Sequence, residues 1–161
     1  MALYSFMACA QICQTNSILA TTPTNRFTIN NDGTVNDNKT DLTWKKCSEG
    51  QSGADCNNGS AILYTWQAAL QQAQSVNNNG GFAEYQDWRL PNIKELNSII
   101  EEQCTGPSIN LVVFPRTPSN WYWSSSPGAY SSTDAWSVYF ANGDYNGYTK
   151  YGYRFIVRLV R

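Results

Sequence analysis

The sequence predicts an α+β domain in which two helices pack on short antiparallel sheets and the C-terminal half is rich in β-structure. Three observations carry that expectation. Two segments before residue 102 place apolar residues at helical spacing. The stretches around them alternate apolar and polar residues over a few positions and break at Asn, Asp and Gly. From Trp121 to Arg161, aromatic residues alternate with Ser, Asn, Gly, Asp and Thr with no helical period. At 161 residues the chain fits one domain, long enough for a core that needs no metal or disulfide support.

Residues 1–25 read as a leader or signal segment and 26–161 as a binding domain. Met1 to Ala20 (MALYSFMACAQICQTNSILA) has a short apolar centre and a small residue at Ala20 where a signal peptidase would cut. It lacks a positively charged start, so a loosely packed leader is the other reading. From Arg26 the pattern is a hairpin or small meander. Phe27 and Ile29 alternate with polar residues, Asn31-Asp32-Gly33 turns, Val35 follows, and Asn38-Lys39 turns again before Leu42-Thr43-Trp44. Five cysteines follow no paired zinc-knuckle spacing, and there is no histidine to complete a zinc site. Cys47 and Cys56 bracket a small polar loop (SEGQSGADCNNG begins inside it) and are expected to form a local disulfide in an exported protein. Cys104 is then free or bonded to Cys9 or Cys13 of the leader.

The first helix is expected around Trp66, Ala69, Leu70 and Ala73, stopped by Asn77-Asn78-Asn79-Gly80-Gly81. The second starts at a capping box, with Asn92 as cap, Glu95 three residues on and Pro91 stiffening the entry. Ile93, Leu96, Ile99 and Ile100 mark its buried face. Cys104 to Asn120 reads as loop, with Pro107, Pro115 and Pro118 around Leu111-Val112-Val113-Phe114.

The C-terminal stretch is the candidate functional surface. Its aromatics are Trp121, Tyr122, Trp123, Tyr130, Trp136, Tyr139, Tyr145, Tyr148, Tyr151 and Tyr153. A tyrosine supplies large contact area while freezing two torsions, and small polar neighbours adapt their hydrogen bonds to a partner. Alternation predicts that Trp136, Val138 and Phe140 pack while Ser137 and Tyr139 show, and Asn142-Gly143-Asp144 turns the chain back as a hairpin. Phe155 to Val160 reads as a buried closing strand. The candidate ligand-binding residues are Tyr130, Ser132, Asp134, Ser137, Tyr139, Asn142, Asp144, Tyr145, Asn146, Tyr148, Tyr151 and Tyr153.

Composition excludes several functions. The net charge is -1 and 14% of residues are charged, so there is no basic field for nucleic acid. No apolar run is long enough to cross a bilayer, so no membrane insertion is expected. Without histidine, neither a Ser-His-Asp nor a Cys-His arrangement assembles. Glu101, Glu102, Asp134 and Asp144 remain as paired carboxylates for acid–base work, and all four read as solvated surface acids. No catalytic residue, metal or cofactor is expected.

Two helices early, a WRLP step into the second and an all-β C-terminal half ending in VRLVR resemble the C-type-lectin-like fold, and within that frame stand five motifs in order, RFTINNDGTVNDNKTDLTWKKC, YTWQAALQQA, DWRLPNIKEL, WYWSSSP and VRLVR. More narrowly, they resemble the family named after the C-terminal domain of the Lcl collagen-like adhesin, over Arg26 to Arg161. Relatives of this fold serve as adhesin tips and as variable proteins of diversity-generating retroelements. Its enzymatic branch, the formylglycine-generating enzymes, needs a pair of C-terminal reactive cysteines, and no cysteine here follows Cys104. The calcium-binding triplets of sugar-binding C-type lectins are absent too, although Asn142, Asp144 and Asn146 offer oxygens at alternating positions.

The resemblance implies a non-catalytic, secreted or cell-surface module, adhesin-like or lectin-like. Its partner would be a glycan or protein on a cell or host surface. The alternative is a retroelement variable protein with a randomised C-terminal surface, and a weaker reading makes the tyrosines the interface of a homo-oligomer. Sulfated polysaccharides, which the adhesin relatives suggest, would favour a basic excess that this chain lacks.

Overall fold

A computed structural model describes residues 10–161, and Cys9 with most of the apolar centre of the leader lies outside the described residues. The fold is α+β, with two helices among several short antiparallel sheets. A meander forms from β2 (Phe27–Ile29), β3 (Thr34–Asp37) and β4 (Leu42–Lys45), after a minimal strand β1 (Ile12–Cys13). The turn into β3 follows its sequence: Gly33 takes φ +86°, and the Asp32 carboxylate accepts from the Thr34 amide (2.9 Å) and hydroxyl (2.7 Å). Strand β5 (Gln51–Ser52), inside the loop closed by the Cys47–Cys56 disulfide, pairs with β6 (Asn58–Gly59) just after it, and the disulfide is present as expected.

Helix α1 (Trp66–Asn78) starts at Thr65, whose hydroxyl accepts from the Ala68 amide. It buries Ala69 and Ala73, whereas Leu70, read as part of that stripe, is at the exposed margin. Helix α2 (Ile93–Asn97) carries both bonds of the Asn92/Glu95 capping box. It is shorter than the apolar spacing implied, because the Ser98 hydroxyl bonds the Glu95 carbonyl (2.6 Å) and the Ile100 amide turns back to Asn97. Ile99 and Ile100 are buried nonetheless, from a turn. After β7 (Cys104–Thr105) the C-terminal sheet runs β8 (Trp121–Pro127), β9 (Asp134–Tyr139) and β10 (Tyr145–Thr149), ordered β10-β9-β8 and antiparallel throughout.

The closing segment, buried throughout from Phe155 to Val160, is not a regular strand. It stitches the units together through single bridges: Phe155 to Tyr64, Ile156 to Tyr122, and Val160 to both Trp44 and Arg89. Lys45 and Glu49 donate their amides to Leu159 and Val157, so the meander and the C-terminal sheet meet across this segment. Two apolar clusters flank it. One joins Val35, Trp44, Leu96, Ile99, Phe114, Tyr122, Val138 and Phe140, and the other Ala69, Ala73, Trp88, Leu90, Trp123, Phe155 and Leu159. Complete burial on both sides explains the unbroken apolar run around Arg158.

The segment before Arg26 is tied to the domain. β1 pairs with β7, Cys13 is bonded to Cys104, and the Thr21 and Thr22 amides donate to the Glu101 carboxylate at 3.0 and 2.8 Å. Glu101 is therefore not the solvated surface acid that its sequence context suggested: it is 3% exposed. Burial alone would raise its pKa, but the Thr21, Thr22 and Gln103 amides and the Thr22 hydroxyl outweigh burial and lower it. A carboxyl whose pKa falls on folding contributes its full stability above the unfolded value, about 4.3, and loses it as pH drops through the folded value. Unfolding midpoints measured against pH should fall more steeply in acid for the native chain than for Glu101→Gln. Parallel curves would remove Glu101 as the acid-sensitive tie.

Candidate functional site

The C-terminal sheet is covered on both faces, and this decides which predicted site residues reach solvent. Its register pairs Trp121 with Tyr139, Tyr122 with Val138 and Trp123 with Ser137 across β8 and β9. Tyr122, Val138 and Phe140 enter the cluster that contains α2, while Trp123 and Ala135 enter the cluster that contains α1. Simple alternation therefore fails as an in/out rule here. Ser137, expected on the showing face, is fully buried opposite Trp123, and Trp136, expected to pack, is half-buried. Tyr122 and Trp123 belong to the core as well: the Tyr122 hydroxyl meets the Ser48 hydroxyl at 2.8 Å, and the Trp123 indole donates to the Tyr64 carbonyl.

The surface that remains is organised by an aromatic ridge. Trp121 stacks on Tyr139 with centroids 4.8 Å apart and meets Tyr148 edge-on, also at 4.8 Å. Tyr148 lies 4.7 Å from Tyr153, and Phe155 touches both from below, continuing the stack to Trp123. Fixed packing holds these rings rigid, which lowers the entropy lost on binding. Tyr139, Tyr148 and Tyr153 are thus brought together. Tyr145 lies apart, tilted over Trp136 at 5.9 Å.

The other candidates flank the ridge. Tyr130 is fully exposed in the β8–β9 loop, Tyr151 is largely exposed after β10, and Ser132 and Asp134 sit at that same end of the sheet. There Lys150, absent from the predicted set, donates to the Ser132 carbonyl (2.7 Å) and lies over the Trp66 ring at 4.6 Å. Its signal was available, since Lys150 is the sole cationic residue between Trp121 and Tyr153. Trp121 and Trp66 were likewise outside the predicted set, because their contribution is to hold other rings.

Asn142 and Asp144 occupy the opposite end, in the β9–β10 turn where Gly143 takes φ +86°. Their polar atoms are partly spent on the turn: Asn142 donates its carboxamide N–H to the Asp144 carboxylate and accepts from the Asp144 amide. Asn146 accepts from the Gly147 amide. Among the described residues no three His, Cys, Asp or Glu side chains converge as a metal cluster.

A family model described as the Lcl C-terminal domain matches residues 33–161. The chain belongs to that family. The match runs from the β2–β3 turn to the last residue and so contains both helices, the Cys47–Cys56 loop and the whole ridge, while β2 and the segment before it lie outside the matched span. Membership of the Lcl family suggests an adhesin-like extracellular domain, and the two disulfides of this Lcl domain are consistent with an oxidising compartment. No curated protein matches the chain. No helix among the described residues is long and apolar enough to cross a membrane.

Proposed function

We propose that this Lcl domain is a non-catalytic, secreted or cell-surface binding module that recognises a glycan or a protein on a cell or host surface. The observation that carries the reading is the ridge of Trp121, Tyr139, Tyr148 and Tyr153, with Tyr130, Tyr145 and Tyr151 exposed around it. Tyrosine faces stack on the C–H faces of sugars or pack on a protein epitope, and the neighbouring Ser132, Asp134, Asn142, Asp144 and Asn146 offer hydrogen bonds at the rim. A net charge of -1 argues against nucleic acid and against a ligand held mainly by sulfate groups.

Probing a glycan array and intact cell surfaces with the labelled domain tests the reading. Saturable binding that is lost in a Tyr151→Ala/Tyr153→Ala variant is expected. If the variant instead changes oligomeric state in light scattering, the tyrosines form a subunit interface.

A second reading, a retroelement variable protein, is favoured by one observation. Most Tyr, Ser, Asp and Asn candidates between 130 and 153 reach solvent, while Ala135, Val138 and Phe140 between them are buried, an arrangement that tolerates substitution at the surface. Sequencing the 3′ end of the gene across a natural population separates the two. Changes confined to adenine positions of the exposed codons would support diversification, and an invariant 3′ end would support a fixed ligand.

A further inference from the structure

We propose that the cavity between the β2–β3 turn and the Cys47–Cys56 loop is a second ligand site, one that takes a small organic carboxylate. It shares no residue with the aromatic ridge and so extends beyond the function proposed above. The cavity measures about 500 Å³, within the size range of pockets that hold small organic ligands. Its walls are fixed before any ligand arrives. The disulfide clamps the loop that carries Ser52 to Ala54, and Phe82 closes another side, so near to the β2–β3 turn that a Cβ at Gly33 would fall 2.9 Å from its ring.

The charges lining this cavity are not matched. They are Asp32, Lys45 and Lys46. The Asp32 carboxylate is occupied by Thr34, and the Lys45 ammonium is held by Glu49 at 2.6 Å and by the Phe82 ring at 4.4 Å. Glu49 also accepts from the Gln72 side chain at 2.9 Å. Lys46 is 8% exposed, yet its side chain has no hydrogen-bond or ion-pair partner among the described residues. Its stem is covered while its ammonium tip keeps contact with solvent, so Lys46 is the one charged side chain of the lining left without a partner among the described residues, and an anion entering the cavity can pair with it.

The rest of the lining narrows the anion's chemistry. Phe82 and Ile29, the latter 41% exposed, present apolar surface, and Asn31 and Ser52 are exposed hydrogen-bonding groups in the walls. An inorganic anion would leave the apolar wall uncovered, and a neutral sugar would leave Lys46 unpaired. A carboxylate on a small, partly apolar body meets both demands. An acidic sugar and a peptide C-terminus share that chemistry.

Titration of the isotope-labelled full chain, followed through its backbone amide signals, tests the site. The probes are galacturonate against galactose, and N-acetylphenylalanine against its amide. At least one carboxylate should shift the Asn31, Ser52 and Phe82 amides saturably at concentrations up to about 10 mM, with its neutral counterpart about tenfold weaker or more. Galacturonate alone would assign an acidic sugar, and N-acetylphenylalanine alone a peptide terminus.

Lys46→Met should weaken binding about tenfold or more, and Tyr151→Ala/Tyr153→Ala should leave it unchanged, which separates this site from the ridge. Because Lys46 is mostly buried, Asn31→Glu, at an exposed position, supplies a second variant that repels a carboxylate without touching the core. The proposal is overturned if neither carboxylate binds, if the neutral counterparts bind as tightly, or if a folded Lys46→Met binds like the native chain. Should Lys46→Met fail to fold, native-like binding by Asn31→Glu overturns it.

Discussion

Replacing Arg158 by alanine is expected to destabilise the domain by about 3–5 kcal/mol, the combined cost of leaving buried neutral acceptors unbonded and of the void left by a large buried side chain. Arg158 is 1% exposed and lies in the closing segment, where it links units distant in sequence. Its guanidinium donates to the Lys45 carbonyl (3.1 Å), the Lys46 carbonyl, the Ser48 hydroxyl (3.3 Å) and the Thr117 hydroxyl (2.7 Å), and it lies over the Phe114 ring at 4.8 Å. Burial pushes its pKa down, but an arginine begins so high that it remains charged at neutral pH. Truncation would strand those acceptors and open a void beside Phe114. Arg158→Met separates the two effects, since it restores much of the volume without the donors. Urea unfolding should show Arg158→Met still destabilised by about 2 kcal/mol or more, and a native-like methionine variant would mean that Arg158 acts as packing alone.

The second large effect is expected from the Cys13–Cys104 disulfide. It joins residues 91 apart, for which the chain-entropy relation gives about 4.6 kcal/mol at 25 °C, against about 2.6 kcal/mol for Cys47–Cys56 with its separation of 9. The Cys13→Ser/Cys104→Ser variant should therefore unfold at clearly lower denaturant than Cys47→Ser/Cys56→Ser. The first pair also anchors the strap whose Thr21 and Thr22 hold Glu101. If losing Cys13–Cys104 cost less than losing the small loop, residues 12–22 would have to be a dispensable appendage.

Local chemistry was legible in the sequence, and long-range closure was not. The capping box at Asn92/Glu95, the turns at Asn31-Asp32-Gly33 and Asn142-Gly143-Asp144, the α1 stop signal and Cys47–Cys56 all depend on residues close in the chain, and all are present. Ser137 and Trp136 were misplaced because period-two alternation assumes one wet face, and this sheet has clusters on both. Glu101 was misread because its partners, Thr21 and Thr22, lie about eighty positions earlier and carry no charge to announce the contact. The ridge was visible as composition, but its assembly was not: that Tyr139, Tyr148 and Tyr153 share one face depends on the β9–β10 register and on Trp121 and Phe155 beneath them.

The central claim is that this ridge is where the Lcl domain holds its partner. Its most direct test is the dissociation constant for the strongest glycan or surface protein found, measured for the native chain, for Tyr151→Ala/Tyr153→Ala, and for Tyr85→Ala as an exposed tyrosine remote in sequence. The account predicts a loss of about tenfold or more, roughly 1.4 kcal/mol, for the ridge variant at unchanged melting temperature, with Tyr85→Ala like the native chain. Equal affinity of all three proteins would contradict it and move the binding surface elsewhere on the domain.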